Sequence, residues 1–317
     1  MSRKKVLLIG AAGGLAKITI DLLLREENNF EILAVDNRNI FDKFNDPRIQ
    51  YKRIRYTRSN FERVFRLENF DYVIHLGRVS HVGNSKSLLA ARLDQNLIGT
   101  KNIMDLSLKH KVQKIIVLST HHVYGALADN PVFINEEAPL RASIKFPELR
   151  DVVEMDQICT NWMWKNKDEI ETIILRPSNI IGPQIKNTIS QYLTTPYAPM
   201  PIDFNPMFQF IHEFDMAHIL CECLKHVKTG VYNVAHKETI SLKKAKAIVE
   251  SPITPIPSFV LETLTKIVSS TVWEFPSYLI EYLKYASIID GSELLKQLPE
   301  HPFRFSVEES LELLKIS

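Results

Sequence analysis

The first residues with chemical potential form a glycine turn. Gly10-Ala-Ala12-Gly13-Gly14-Leu15-Ala16 follows the apolar run Val6–Ile9 and opens a segment of helical period. Gly10 allows a tight turn, Gly13 lets the backbone approach a phosphate, and a small residue at 16 lets helix and strand pack closely. Amides from Gly10 through Ala12, Gly13, Gly14 and Leu15 lie where the unpaired N–H groups of a starting helix face an anion. In this strand–turn–helix context the pattern reads as a pyrophosphate cradle. Asp36 closes the next apolar run, and Asn37 and Arg38 follow it. A carboxylate there accepts both hydroxyls of a ribose and repels a 2′-phosphate, which ranks NAD ahead of NADP. Arg38 keeps NADP as the second choice. The competing reading is a flavodoxin-like protein whose glycine turn holds no dinucleotide.

Other chemistries find less support. Cys221 and Cys223 sit in an apolar, helix-like stretch, point in different directions on a helix, and have no second ligand pair nearby, so no metal site is expected. Three cysteines in 317 residues are too few for a disulfide framework and favour a reducing compartment. A formal net charge of +2 gives no electrostatic reason to expect nucleic acid. The apolar run after Met1-Ser-Arg-Lys-Lys5 stops after four residues, short of the roughly 7–15 of a secretory h-region. No segment reaches the roughly 18 apolar residues of a membrane span. A cytoplasmic location is therefore expected.

The elements that must position the cradle alternate through the first half. Val6–Ile9, Ile32–Val35, Tyr51–Ile54, Val73–Leu76, Ile115–Leu118 and Thr172–Leu175 read as strands, apolar on both faces. Leu15–Arg25, Asn60–Leu67, Lys86–His110 and Pro147–Asn166 read as helices. This alternation predicts an α/β fold with a Rossmann-type, doubly wound parallel sheet. The texture changes after Arg176-Pro177: Gln184–Phe208 is rich in Pro, Met and aromatics with little periodicity. Gly230–Val234 reads as a further strand, and helical patterns return from Ser241. The division expected is a dinucleotide-binding domain over 1–178 and a smaller, mixed substrate lobe over 179–317, interleaved across a soft boundary.

Several segments carry a family resemblance. Gly10-x-x-Gly13, Phe70-Asp-Tyr-Val-Ile-His75-Leu76, Asn96-Leu-Ile-Gly-Thr100 and Leu118-Ser-Thr-His-His-Val-Tyr-Gly125 lie in order in the first half. Arg176-Pro-Ser-Asn-Ile-Ile-Gly-Pro183, Phe210-Ile-His-Glu-Phe-Asp215-Met-Ala217 and Gly230–Val234 follow. In this order they resemble the landmarks of the extended short-chain dehydrogenase/reductase superfamily, which holds NAD-dependent epimerases and dehydratases. The likeness runs over nearly the whole chain. It adds Leu76, Gly77, Asn96, Leu118 and Pro177 to the candidate cofactor residues.

The resemblance also implies where catalysis should sit. In the family a tyrosine moves the proton, a lysine four residues later lowers its pKa and binds the nicotinamide ribose, and a Ser or Thr hydroxyl polarises the substrate oxygen. The hydroxyl position falls on Thr120. Counting on from Glu137-Ala-Pro-Leu140 without gaps puts the tyrosine position at Phe146 and the lysine at Arg150, with Glu154 as a following acid. Shifting by two gives Glu148 and Val152, a poorer match. No Tyr-x-x-x-Lys occurs in this helix. Phe cannot transfer a proton, although Arg150 could hold a ribose. Three explanations compete: a non-catalytic relative, another acid/base at His121 or His122, or a residue from the C-terminal half completing the site. A structural role is expected for His75 and His212.

Two departures bear on ligands. The stretch after the third strand, Arg53-Ile-Arg55-Tyr56, lacks the carboxylate that often binds adenine in the family, leaving stacking on Tyr56 or Arg55. Phe208 stands where nucleotide-sugar enzymes commonly place an arginine that grips the diphosphate. Apolar stretches at Ile253–Pro257, Phe259–Val268 and Trp273–Ile289 could roof a hydrophobic pocket, form a dimer face or simply pack as core. The expectation is an NAD(H)-binding oxidoreductase or epimerase with a degenerate site, acting on an apolar secondary alcohol or ketone. Its rivals are a dinucleotide-sensing regulatory module and, on resemblance alone, a nucleotide-sugar epimerase or dehydratase. The resemblance also implies a homodimer through Lys86–His110 and Pro147–Asn166.

Overall fold

The structure, a computed structural model, describes residues 3–25, 30–40, 44–77, 92–261, 276–299 and 302–315. Residues 86–91 of one expected helix, and 262–275 of the expected apolar stretches, lie outside them. Seven strands form one sheet: β1 (Lys4–Ile9), β2 (Phe30–Asp36), β3 (Ile49–Arg53), β4 (Tyr72–His75), β5 (Lys114–Leu118), β6 (Glu171–Pro177) and β7 (Gly230–Val234). Their order is β7-β6-β5-β4-β1-β2-β3, and every pairing is parallel.

A parallel sheet needs helices on both faces, and strand alternation supplies both cores. Val6 and Leu8 of β1 join one core with α1 (Gly14–Arg25) and α5 (Glu213–Lys225). Leu7 and Ile9 join the other, with α2 (Arg58–Leu67), α3 (Thr100–Lys109) and α4 (Arg150–Lys165). Buried Lys114 ties the sheet to α5 by donating to the carbonyls of Cys223, Leu224 and Val227, where a cation suits the negative helix end. Cys159, Cys221 and Cys223 are buried and free.

The sheet takes β7 from the second half of the chain, and α5 covers α1, so the Rossmann layer continues well beyond residue 178. What remains is a lobe of short pairings. Asn179–Ile181 pairs with Phe210–His212, Met207–Phe208 with Ile240–Ser241, and Ala198–Pro201 with Ile253–Ile256. Its own core gathers Phe208, Phe210, Leu279, Tyr282 and Leu311. No helix among the described residues is long and apolar enough to cross a membrane.

Candidate functional site

Strand order reverses between β1 and β4, and a crevice opens beyond their carboxyl ends, as open α/β sheets require. The cleft there has a volume of about 620 Å³. Gly10, Gly13, Gly14 and Leu15 line it, as do Asp36, Asn37, Arg38, Leu76, Gly77, Leu118, Thr120, His121 and Pro177. Ala12, expected among the amides facing the anion, does not line the cleft; its amide donates to Asp36 Oδ2 at 3.0 Å. Asn96 is buried off the cleft, its side-chain amide donating to Asp151 Oδ2 at 2.7 Å, so it joins the turn before α3 to α4.

The glycines are shaped for close approach. Gly10 has φ +94°, and a Cβ there would stand 2.7 Å from the Gly77 nitrogen, so the ends of β1 and β4 touch. A Cβ on Gly13 would meet only the Gly10 carbonyl, at 3.4 Å, which leaves that position open. Asp36 is buried, and Oδ1 accepts from the Arg38 amide at 2.8 Å and from Arg38 Nε at 3.3 Å. Arg38 thus leans on the carboxylate. His75 steadies the opposite wall: Nδ1 accepts from the Gly77 amide at 3.3 Å and Nε2 faces Thr100 Oγ1 at 3.0 Å. Burial lowers the His75 pKa to about 4, so it is a neutral structural group. These features suit a dinucleotide: a glycine floor, a helix start and a ribose-side carboxylate.

At the other end of the cleft β5 delivers Thr120 and two imidazoles. Thr120 caps the turn His121–Tyr124, its Oγ1 accepting the His122 amide at 3.3 Å and lying 3.2 Å from His122 Nδ1. His121 is buried, and its Nδ1 donates to the Pro177 carbonyl at 3.0 Å, which pins the ends of β5 and β6. Of the two imidazoles, His122 is the more accessible. Beneath them Arg176 grips Asp156 with two bonds, Nε–Oδ2 at 3.0 Å and Nη2–Oδ1 at 2.5 Å, while Ser119 Oγ donates to Asp156 Oδ2 at 2.5 Å. That buried, charge-assisted network fixes β5, β6 and α4 together.

The gap-free register does not place its pair on the cleft. Phe146 packs into an aromatic cluster, and Arg150 points to solvent, where its Nε donates to Glu154 at 2.6 Å. Helix α4 begins at Arg150, so 150 and 154 share the outer face while Leu149 and Val152 line the cleft. Of the two registers, the shifted one, with Val152 at the lysine position, is the one whose second residue reaches the wall. Tyr56 also lines the cleft, beside Gly77, whereas Arg55 is exposed and does not.

Sequence reasoning missed several lining residues: Gln95, Ser119, Gln184, Lys186 and Tyr278. Gln95 lies in the π-helical turn Asp94–Gly99. Tyr278 belongs to a stretch flagged only as apolar, and the Tyr278/Tyr282 spacing of four is the signal that could have marked it. Lys186 is an isolated cation in a segment without periodicity, and nothing local marks it.

A Mycobacterium bovis protein described as uncharacterized is 24% identical over 248 residues, covering 78% of this chain and 65% of that one. A UDP-glucose 4-epimerase of Cyamopsis tetragonoloba is 28% identical over 194 residues, covering 57% and 53%. The chain thus spans under two thirds of these curated relatives. Among solved structures, the dTDP-glucose 4,6-dehydratase DesIV of Streptomyces venezuelae, with NAD and TYD bound, superposes with a TM-score of 0.77. It is 15% identical, over 98% of this chain and 96% of that one, a likeness of fold alone. The family model of the NAD dependent epimerase/dehydratase family matches residues 6–235, and the chain belongs to that family.

Proposed function

We propose that the cleft binds NAD(H) and that the protein is an oxidoreductase or epimerase acting on a small, uncharged secondary alcohol or ketone. The observation that carries the reading is the Thr120–His122 pair, 3.2 Å apart, in the same cleft as the glycine loop. When bound, the nicotinamide supplies or accepts a hydride. Thr120 Oγ1 takes the proton of a substrate hydroxyl as its own passes to His122 Nδ1, and the reverse transfer protonates a ketone oxygen. Phe208, with Ile189, Leu279 and Tyr282, makes an apolar wall beside His122, suited to an uncharged substrate rather than a sugar diphosphate. A cytoplasmic location and a homodimer through α3 and α4 belong to the same reading. Incubating the protein with NAD+ or NADH and a panel of cyclic alcohols and ketones tests it. Turnover lost on Thr120→Val and on His122→Phe, with cofactor binding retained, supports it.

The second reading is a dinucleotide-sensing module without turnover. It is favoured by Leu149 and Val152, apolar residues on the wall where the helix pair would act. Cofactor binding with no turnover on any panel member, and with a partner captured only in one redox state, is its outcome.

A further inference from the structure

The segment 182–188 crosses from the second half of the chain onto the glycine loop, and both its ends are pinned. Glu213 accepts the Gln184 amide at 2.9 and 3.2 Å through its two oxygens, and its carboxyl carbon fills the space at Gly182, 2.4 Å from where a Cβ would lie. On the far side the Asn187 side chain donates to the Ile180 carbonyl at 2.7 Å and accepts from the Ser190 amide at 2.9 Å. The segment presses on the cradle: a Cβ on Gly14 would stand 2.3 Å from the Gln184 carbonyl oxygen.

Lys186 lies between these anchors. It is exposed, lines the cleft, and makes no ion pair or hydrogen bond among the described residues. Arg38 is the only other Lys or Arg among the described residues lining the cleft, and it is paired with Asp36. The cleft it lines also takes in Gly13, Gly14 and the start of α1, and Gln184, two residues before it, packs against Gly14. Backbone amides there can solvate one side of an anion, and among the described residues lining the cleft Lys186 is the one cation not held by a carboxylate.

We propose that Lys186 is the cation that pairs with the diphosphate of the bound dinucleotide, so that the second half of the chain, rather than α4, supplies charge over the glycine loop. The proposal rests on the reading of the cleft as an NAD(H) site. An ammonium carries three donors on a flexible stem, and pinned neighbours place its backbone while leaving the stem free to follow the phosphates. Because the group is exposed, its contribution is moderate and salt-sensitive.

Calorimetric titration with NADH and with ADP-ribose, which keeps the diphosphate and lacks nicotinamide, tests it on the full chain. Lys186→Ala is expected to weaken both ligands alike, about tenfold, with a shallower salt dependence between about 50 and about 300 mM. Lys186→Arg should retain most of the affinity, and Arg150→Ala should leave it unchanged. Wild-type binding that Lys186→Ala leaves intact overturns the assignment while sparing the cofactor reading. Absence of wild-type binding overturns both. Each variant is checked by its unfolding midpoint, so lost folding is not mistaken for lost binding.

Discussion

Phe146 packs against Tyr278 with ring centroids 6.5 Å apart, and Tyr278 in turn stands 5.9 Å from the His122 ring on the cleft wall. The residue that a gap-free count puts at the family's tyrosine position is thus a wedge under a tyrosine from the other half of the chain. Tyr282 completes the cluster, its hydroxyl donating to the His122 carbonyl at 3.2 Å. Phe146→Ala is expected to cost about 3–5 kcal/mol of stability, read from urea unfolding, because the buried ring is replaced by a cavity. Phe146→Tyr should not raise turnover, since the side chain faces the cluster and not the cleft.

Asp156 sits fully buried between Arg176 and Ser119. Asp156→Asn leaves the guanidinium without its counter-charge. It should lower stability by about 3–5 kcal/mol, seen as a lower urea midpoint at unchanged slope. A shift below about 1 kcal/mol would mean the network contributes little to fixing β5 and β6.

Glu213 gives the molecule a pH dependence of definite sign. Burial raises its pKa from 4.5 to about 7, against the smaller lowering by the Gln184 and Ile185 amides. A folded-state pKa above the unfolded one means the stability it confers is fully present below about pH 4.5 and lost as pH climbs through about 7. Glu213→Gln should therefore flatten the decline in urea midpoint between these values, by at most about 3 kcal/mol. Parallel profiles for wild type and variant would show that the carboxyl titrates normally.

The fold was legible because the strands announce themselves. Val6–Ile9 and Ile115–Leu118 are apolar on both faces, and only a sheet covered on both sides buries both. That Gly10, Gly13 and Asp36 would meet at one end of a cleft was legible for a related reason: a glycine turn after β1 and the last residue of β2 are placed by backbone geometry and position along the strand. The reacting end was not. Whether Arg150 or Val152 faces the cleft depends on where α4 starts, and a 3₁₀ turn at Pro147–Leu149 sets that start. Lys186 and Tyr278 reach the cleft through long-range packing, which spacing along the chain does not encode.

If the cleft beneath Gly13 holds a dinucleotide, titrating NADH into the wild type and into Gly13→Val will tell the two proteins apart. A side chain at 13 meets little of the protein but occupies the space over the cradle, so the variant should fold normally. Saturable binding by the wild type and at least a tenfold loss in the variant, about 1.4 kcal/mol, are expected. No binding by the wild type at millimolar NADH, or equal binding by a folded Gly13→Val, would contradict a dinucleotide site there.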